Sequence, residues 1–159
     1  MTQEVPLSLT VNGERVARRV EARQHLIDFL RLELGLMGSH AGCEHGVCGA
    51  CTVRVDGLIV RGCLVLAASL DGANVETIEG LSETGEIRDL QQAFIARNAC
   101  QCGYCTPGML MAAAELLRLN PRPARAEIRA YLAGNYCRCT GYHAIVDAVE
   151  AVARARGKA

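Results

Sequence analysis

Cysteine is the residue around which the chemistry of this chain is organised, with nine in 159 residues. Cys43, Cys48 and Cys51 stand as C-x4-C-x2-C, and Cys63 follows further along. Thiolates at that spacing suit a plant-type [2Fe–2S] cluster, in which one loop wraps the cluster and the last ligand arrives from elsewhere. Gly42, Gly46 and Gly49 serve the same end, because backbone amides must approach sulfur closely and some loop positions need positive φ. Zinc is the competing metal, but its thiolate ligands usually come as two knuckle-like pairs, unlike a first interval of four in a glycine-dense loop. Cys48-Gly-Ala-Cys51 has the form of a dithiol redox motif, yet Thr52-Val-Arg-Val55 reads as a strand where that motif opens a helix.

Cys102, Cys105, Cys137 and Cys139 make a second set of four. Each pair is expected just ahead of a helix, with Thr106 and Thr140 as N-caps and Pro107 at the first helical position. The partial positive charge and unpaired N–H groups of a helix N-terminus stabilise thiolates and an anionic cluster. Treating these four as unrelated buried thiols leaves their paired spacing in two separate loops unexplained. The ninth cysteine, Cys100, is expected to be a small buried apolar residue without a metal. His45 lies in the first loop, but a Rieske centre needs a second histidine, and none is suitably placed near Cys63. His25, His40 and His45 are therefore expected as exposed loop residues and His143 as a first-turn helix residue, none of them a ligand.

The elements that must position these thiols fall into two groups. Leu7, Leu9 and Val11 alternate with polar residues up to the hairpin turn Asn12-Gly13, and Val16 to Val20 resumes the alternation. Leu26 to Leu34 has the spacing of a short amphipathic helix that stops at Gly35. A second hairpin is predicted from Thr52–Val55, Asp56-Gly57 and Leu58–Val60, and one more strand over Val75–Ile78. Past a predicted linker at Gly80–Glu86 the period becomes helical, over Ile87–Arg97, Met109–Leu119, Arg125–Ala133 and Ala144–Arg156. Asn120-Pro-Arg-Pro123 breaks the helical half into two helix–cysteine–helix units, which packed antiparallel would bring both cysteine pairs to one end of a four-helix bundle. The predicted fold class is α+β, with a small mixed sheet crossed by one helix in residues 1–79 and an all-α unit in residues 80–159.

Composition narrows the partners. Seventeen basic residues balance seventeen acidic ones, which removes the general field that draws a protein to nucleic acid or an anionic membrane. No apolar run approaches the roughly 20 residues a bilayer requires, so membrane insertion is not expected. Met1 to Gly13 does not read as a secretory signal, and a cytoplasmic location follows as an expectation. There, structural disulfides are disfavoured and clustered cysteines point to metal or redox chemistry. Two units sharing 159 residues would each have a marginal core, which a cross-link through metal would reinforce.

Gly42-Cys-Glu-His-Gly-Val-Cys-Gly-Ala-Cys51, Gln101-Cys-Gly-Tyr-Cys-Thr-Pro-Gly-Met109 and Gly134-Asn-Tyr-Cys-Arg-Cys-Thr-Gly-Tyr142 stand in that order. From about Leu7 to Val152 the chain resembles the small iron–sulfur subunit of the xanthine oxidase family of molybdenum hydroxylases, the group that includes the carbon monoxide dehydrogenase small subunit. The resemblance implies a plant-ferredoxin-like β-grasp domain and a four-helix domain, each holding one [2Fe–2S] cluster. It implies a large partner subunit with a molybdopterin cofactor near the helical-domain cluster, and a medium FAD-binding subunit or another acceptor near the other. It also implies that Gln101 and Cys139 approach the pterin. The chain departs from the family pattern at Cys100, where an apolar residue is usual, and at Ala124, where a capping residue is usual.

On this reading the chain relays electrons and holds no substrate site. Two rivals remain at this point: a zinc-stabilised interaction module without redox function, and a free ferredoxin-type carrier. The near-zero net charge weighs against the second, because diffusing carriers that dock electrostatically are commonly strongly acidic.

Overall fold

The computed structural model describes residues 3–157. Strands β1 (Glu4–Val11) and β2 (Glu14–Glu21) form the first hairpin, with Val11 opposite Glu14. Its two turn residues, Asn12 and Gly13, both have positive φ, 51° and 84°, as a tight turn of matching twist requires. The second hairpin, β3 (Thr52–Val55) and β4 (Leu58–Arg61), turns the same way at Asp56 and Gly57. Strand β5 (Asn74–Glu76) runs between the hairpins, parallel to β1 and antiparallel to β3. The five-stranded order is β2-β1-β5-β3-β4, so β2 and β4 are the edges.

Helix α1 (Leu26–Asp28) continues into a π-helical turn over Phe29–Glu33, where the Leu34 N–H reaches back to the Phe29 carbonyl at 3.3 Å. Leu26, Phe29 and Leu30 are buried against Leu7, Leu9, Val53 and Val75 of the sheet, forming the first core. Gly35 (φ 69°) ends this segment, as expected.

The second core belongs to α2 (Ile78–Glu83), α3 (Arg88–Ala96), α4 (Thr106–Leu119), α5 (Arg125–Leu132) and α6 (His143–Arg156). Helix α4 is buried along most of its length, from Gly108 to Leu117, with the other helices packed about it. Two expectations are corrected here. Ile78 is not in a strand but opens α2, and the predicted linker Gly80–Glu86 is helical as far as Glu83. Ile78 and Leu81 carry apolar side chains into the helical core, so burial decides the segment despite its linker-like Ser, Thr and Gly content.

The N-caps also differ from expectation. Cys105, not Thr106, caps α4, which moves Pro107 past the first helical position, and Tyr142, not Thr140, caps α6. The Thr140 hydroxyl instead accepts the Tyr142 N–H at 3.1 Å, so Thr140, Gly141 and Tyr142 separate Cys139 from the helix. At α5, Ala124 has no side-chain acceptor, but the Glu127 carboxylate returns to the Ala124 N–H at 2.6 Å and supplies half of a capping box.

Candidate metal centres

The eight cysteines of the two motifs fall into two separate groups in space. In the first, Cys43 and Cys48 lie on the glycine-rich loop, Cys51 at the start of β3 and Cys63 just beyond β4. The thiols meet in twos: Cys43 with Cys48, and Cys51 with Cys63. In the second, Cys105 meets Cys137 and Cys102 meets Cys139, joining the loop before α4 to the loop before α6. Among the described residues no three His, Cys, Asp or Glu side chains converge as the ligands of one ion would. A [2Fe–2S] core bound by four cysteines divides its protein ligands between two irons, and the pairwise contacts of both groups fit that division.

The backbone of the first loop is arranged to hold negative sulfur. The Val47 and Cys48 N–H groups both donate to Cys43 Sγ at 3.3 Å, and the Ala50 N–H donates to Cys48 Sγ at 3.5 Å. The Cys48 amide, followed by that of His45, pushes the Cys43 thiol down to about 6 despite some loss of solvent. Burial acts the other way on Cys51, pushed up to about 11, with Cys63 close by. Positive φ at Glu44 (57°), Gly46 (84°) and Gly49 (76°) turns the loop's amides inward. Gly46 also lies under Leu64, whose Cδ1 would be 2.4 Å from an added Cβ.

In the second group burial pushes Cys105 up to about 12, with the Cys137 thiol adding to the effect. Burial raises Cys137 as well, but the Thr140 hydroxyl and the amides of Thr140 and Cys139 outweigh it and leave the thiol below its usual value. Cys139 is exposed and held above its usual value chiefly by the Cys102 thiol. Gln101, Cys102 and Cys139 are each exposed, as are Tyr104 and Tyr136.

The two groups are locked together. The Tyr136 N–H donates to the Cys48 carbonyl at 2.8 Å, and buried Asn135 donates to the Gly49 carbonyl at 3.1 Å. An added Cβ on Gly108, in the first turn of α4, would lie 2.2 Å from the same Gly49 oxygen. On the other side of the loop, Tyr104 stacks on His40 at a centroid distance of 4.6 Å, and its hydroxyl donates to the Ala41 carbonyl.

Not every predicted role holds. Cys100 is exposed, not buried; its neighbour Ala99 takes the core position, so Cys100 faces outward. His40 is half-buried against Tyr104 and hydrogen-bonded to its carbonyl at 2.8 Å, and His25 is half-buried in a bridge to Leu66. His45 is exposed and bonded to the Cys43 carbonyl, and His143 is exposed in the first turn of α6. Tyr104, Asn135 and Arg61, which join the two loops, escaped the sequence reading. The tyrosine and the asparagine stand inside the quoted cysteine motifs, a signal that was available.

Residues 39–98 match the 2Fe-2S iron-sulfur cluster binding domain family, and residues 77–150 match the [2Fe-2S] binding domain family. The small subunit of nicotine 6-hydroxylase from Paenarthrobacter nicotinovorans is 51% identical over 93% of this chain and 89% of its own length. This chain is a small iron–sulfur subunit of the xanthine oxidase family of molybdenum hydroxylases. Among solved structures, quinoline 2-oxidoreductase from Pseudomonas putida 86 matches with a TM-score of 0.91 and 46% identity, over 99% of this chain and 98% of the matched one. Aldehyde oxidoreductase from Desulfovibrio gigas matches with a TM-score of 0.89 and 41% identity, over 98% of this chain but only 18% of that one. Small subunits of this family work within oxidoreductases that also contain a molybdopterin-bearing partner, and this chain is the iron–sulfur component. No described helix is long and apolar enough to cross a membrane.

Proposed function

We propose that this chain carries two [2Fe–2S] clusters and passes electrons from a molybdopterin centre in a large subunit to a flavin subunit or another acceptor. Cys43, Cys48, Cys51 and Cys63 hold one cluster in a β-grasp half, residues 1–79. Cys102, Cys105, Cys137 and Cys139 hold the other in the helical half, residues 80–159. When bound, each cluster takes up and gives back one electron at a time. The chain's own residues supply the thiolates, donate amide hydrogen bonds to sulfur that set the potential, and keep the two sites at a fixed separation.

The observation that carries this reading is the sorting of eight thiols into two groups of four, each in pairwise contact. Gln101 and Cys139 face the pterin of the large subunit in this reading, which their shared exposure next to the second group supports. A cytoplasmic location accords with thiols kept reduced for cluster assembly.

Purified anaerobically, the protein is expected to be brown, with about four irons and four inorganic sulfides per chain, two of each per cluster. Cys63→Ser and Cys137→Ser should each remove a different paramagnetic signal of the reduced protein and leave the other. A colourless zinc protein, or two signals surviving in either variant, would refute the ligand assignment.

A further inference from the structure

Arg61 is the last residue of β4, two positions before Cys63, and its guanidinium reaches both cysteine groups' supporting loops. One nitrogen donates to the hydroxyl of Thr52, the residue after Cys51. Another donates to the Gly134 carbonyl at 2.7 Å and to Asn135 Oδ1 at 3.2 Å, a short step before Cys137. Thr52 in turn donates to the Gly49 carbonyl at 2.7 Å, and Asn135 donates to that same carbonyl and, at 3.4 Å, to the Thr52 hydroxyl. Thr52 and Asn135 are buried, at 1% and 3% exposure, so this is a fully partnered polar network inside the contact between the loops. The backbone bond from Tyr136 to Cys48 lies beside it, one residue from Cys137.

A flexible ammonium would be a poor substitute here. The guanidinium is planar, permanently charged and forked, and it meets three acceptors from two loops at once. It therefore does two things: it holds the loop of the first cysteine group against that of the second, and it places a fixed positive charge between them.

We infer that Arg61 is a positioning residue for electron passage, fixing the first cluster's loop against the second's and favouring the reduced state of the centres beside it. This inference rests on the two-cluster reading above. One electron leaves the helical-half cluster, oxidised from 1+ to 2+, and enters the sheet-half cluster, reduced from 2+ to 1+, with no proton moved and no bond made or broken. Arg61 touches neither the substrate nor a ligand sulfur; it acts through Thr52, Gly134 and Asn135.

The test compares full-length Arg61→Ala, Arg61→Gln and Arg61→Lys chains with the wild type, all reconstituted with iron and sulfide and reduced with dithionite. Iron and sulfide content, the magnetic interaction between the reduced clusters and the two reduction potentials are measured. With both clusters present, the Ala and Gln variants should lose the wild-type splitting and show lowered potentials. Lys should keep the potentials close to wild type and restore the splitting only in part. Hydrogen exchange on the cluster-free chains supplies a second readout, in which the Tyr136 amide should lose protection in Ala and Gln while Val53 in the sheet core keeps it. If the Ala variant fails to fold, the Gln variant decides. Unchanged splitting, potentials and Tyr136 protection in a variant holding both clusters would overturn the role of Arg61 and leave the two-cluster reading standing. A wild-type chain that takes up no sulfide would overturn both.

Discussion

Glu115, in the middle of α4, accepts the Ile59 N–H of edge strand β4 at 2.9 Å. A buried carboxylate from the helical half thus partners an outward-facing amide of the sheet's edge, and its other oxygen accepts the Tyr131 hydroxyl. Burial of the ring, followed by that contact, pushes Tyr131 up to about 12.

Replacing Glu115 by Ala strands the Ile59 amide and the Tyr131 hydroxyl. Leaving a buried donor unpaired costs about 1–3 kcal/mol, and these two are only partly buried, so the variant should lose about 1–3 kcal/mol in all. Gln keeps an acceptor for Ile59 and should lose clearly less. Thermal melting followed by circular dichroism checks the order, wild type above Gln above Ala.

Cluster assembly should be faster in alkali. Iron binds thiolate, and Cys51 and Cys105 stand at about 11 and about 12 without metal, so each must release a proton on binding. The amides of Cys48, His45 and Val47 favour the thiolate of Cys43, which should be the first sulfur engaged in its group. The rate at which visible absorbance grows during reconstitution should therefore rise from pH 6.5 to pH 8.5. A rate that fell over this range would contradict the proton count.

Arg54 is buried on β3 and pairs with Glu86 at 2.7 Å and Glu76 at 3.3 Å, tying the sheet to the segment between α2 and α3. The Arg54 hydrogen bond holds the Glu86 carboxyl below its usual value, and Arg156 does the same for Asp89. Their folded-state values lie below their unfolded ones, so the stability they confer is complete above about pH 5 and is lost as pH falls through the folded values. Glu86→Gln should melt below wild type at pH 7, by a modest margin because Glu86 is 40% exposed and solvent screens the pair. That margin should close in strong acid, which melting curves from pH 7 to pH 2.5 would show.

Two glycines should respond differently to alanine. Gly57→Ala puts a side chain into open space at φ 83°, and should cost only the backbone strain of about 1 kcal/mol. Gly108→Ala gains helix propensity but drives its methyl into the Gly49 carbonyl, with an expected loss of about 1–3 kcal/mol. The second variant should also shed iron from the first cysteine group faster, since Gly49 sits between Cys48 and Cys51.

The spatial grouping of the cysteines, both hairpins and four of the five helices beyond β5 were legible in the sequence because each depends on local signals: thiol spacing, Asn-Gly and Asp-Gly turns, and helical apolar period. Helix α2 was hidden by its polar content, since what makes it helical is the burial of Ile78 and Leu81 against residues far along the chain. The caps failed for a related reason. A threonine after a cysteine pair looks like an N-cap, but the thiol loops fix where each helix begins, and that moved the caps to Cys105 and Tyr142. Arg61 and Glu115 could not be singled out at all, because the partners that give them their roles between the two halves, Gly134 for one and Ile59 for the other, lie more than fifty residues away in sequence.

With β4 closed by α4, the open flank of the sheet among the described strands is β2, which carries Arg15, Arg18 and Arg19. Charged side chains at five of its eight positions, Glu14 and Glu21 among them, blunt this edge as a template for another strand. Newly made chains waiting for their partner subunits are thus discouraged from stacking on one another.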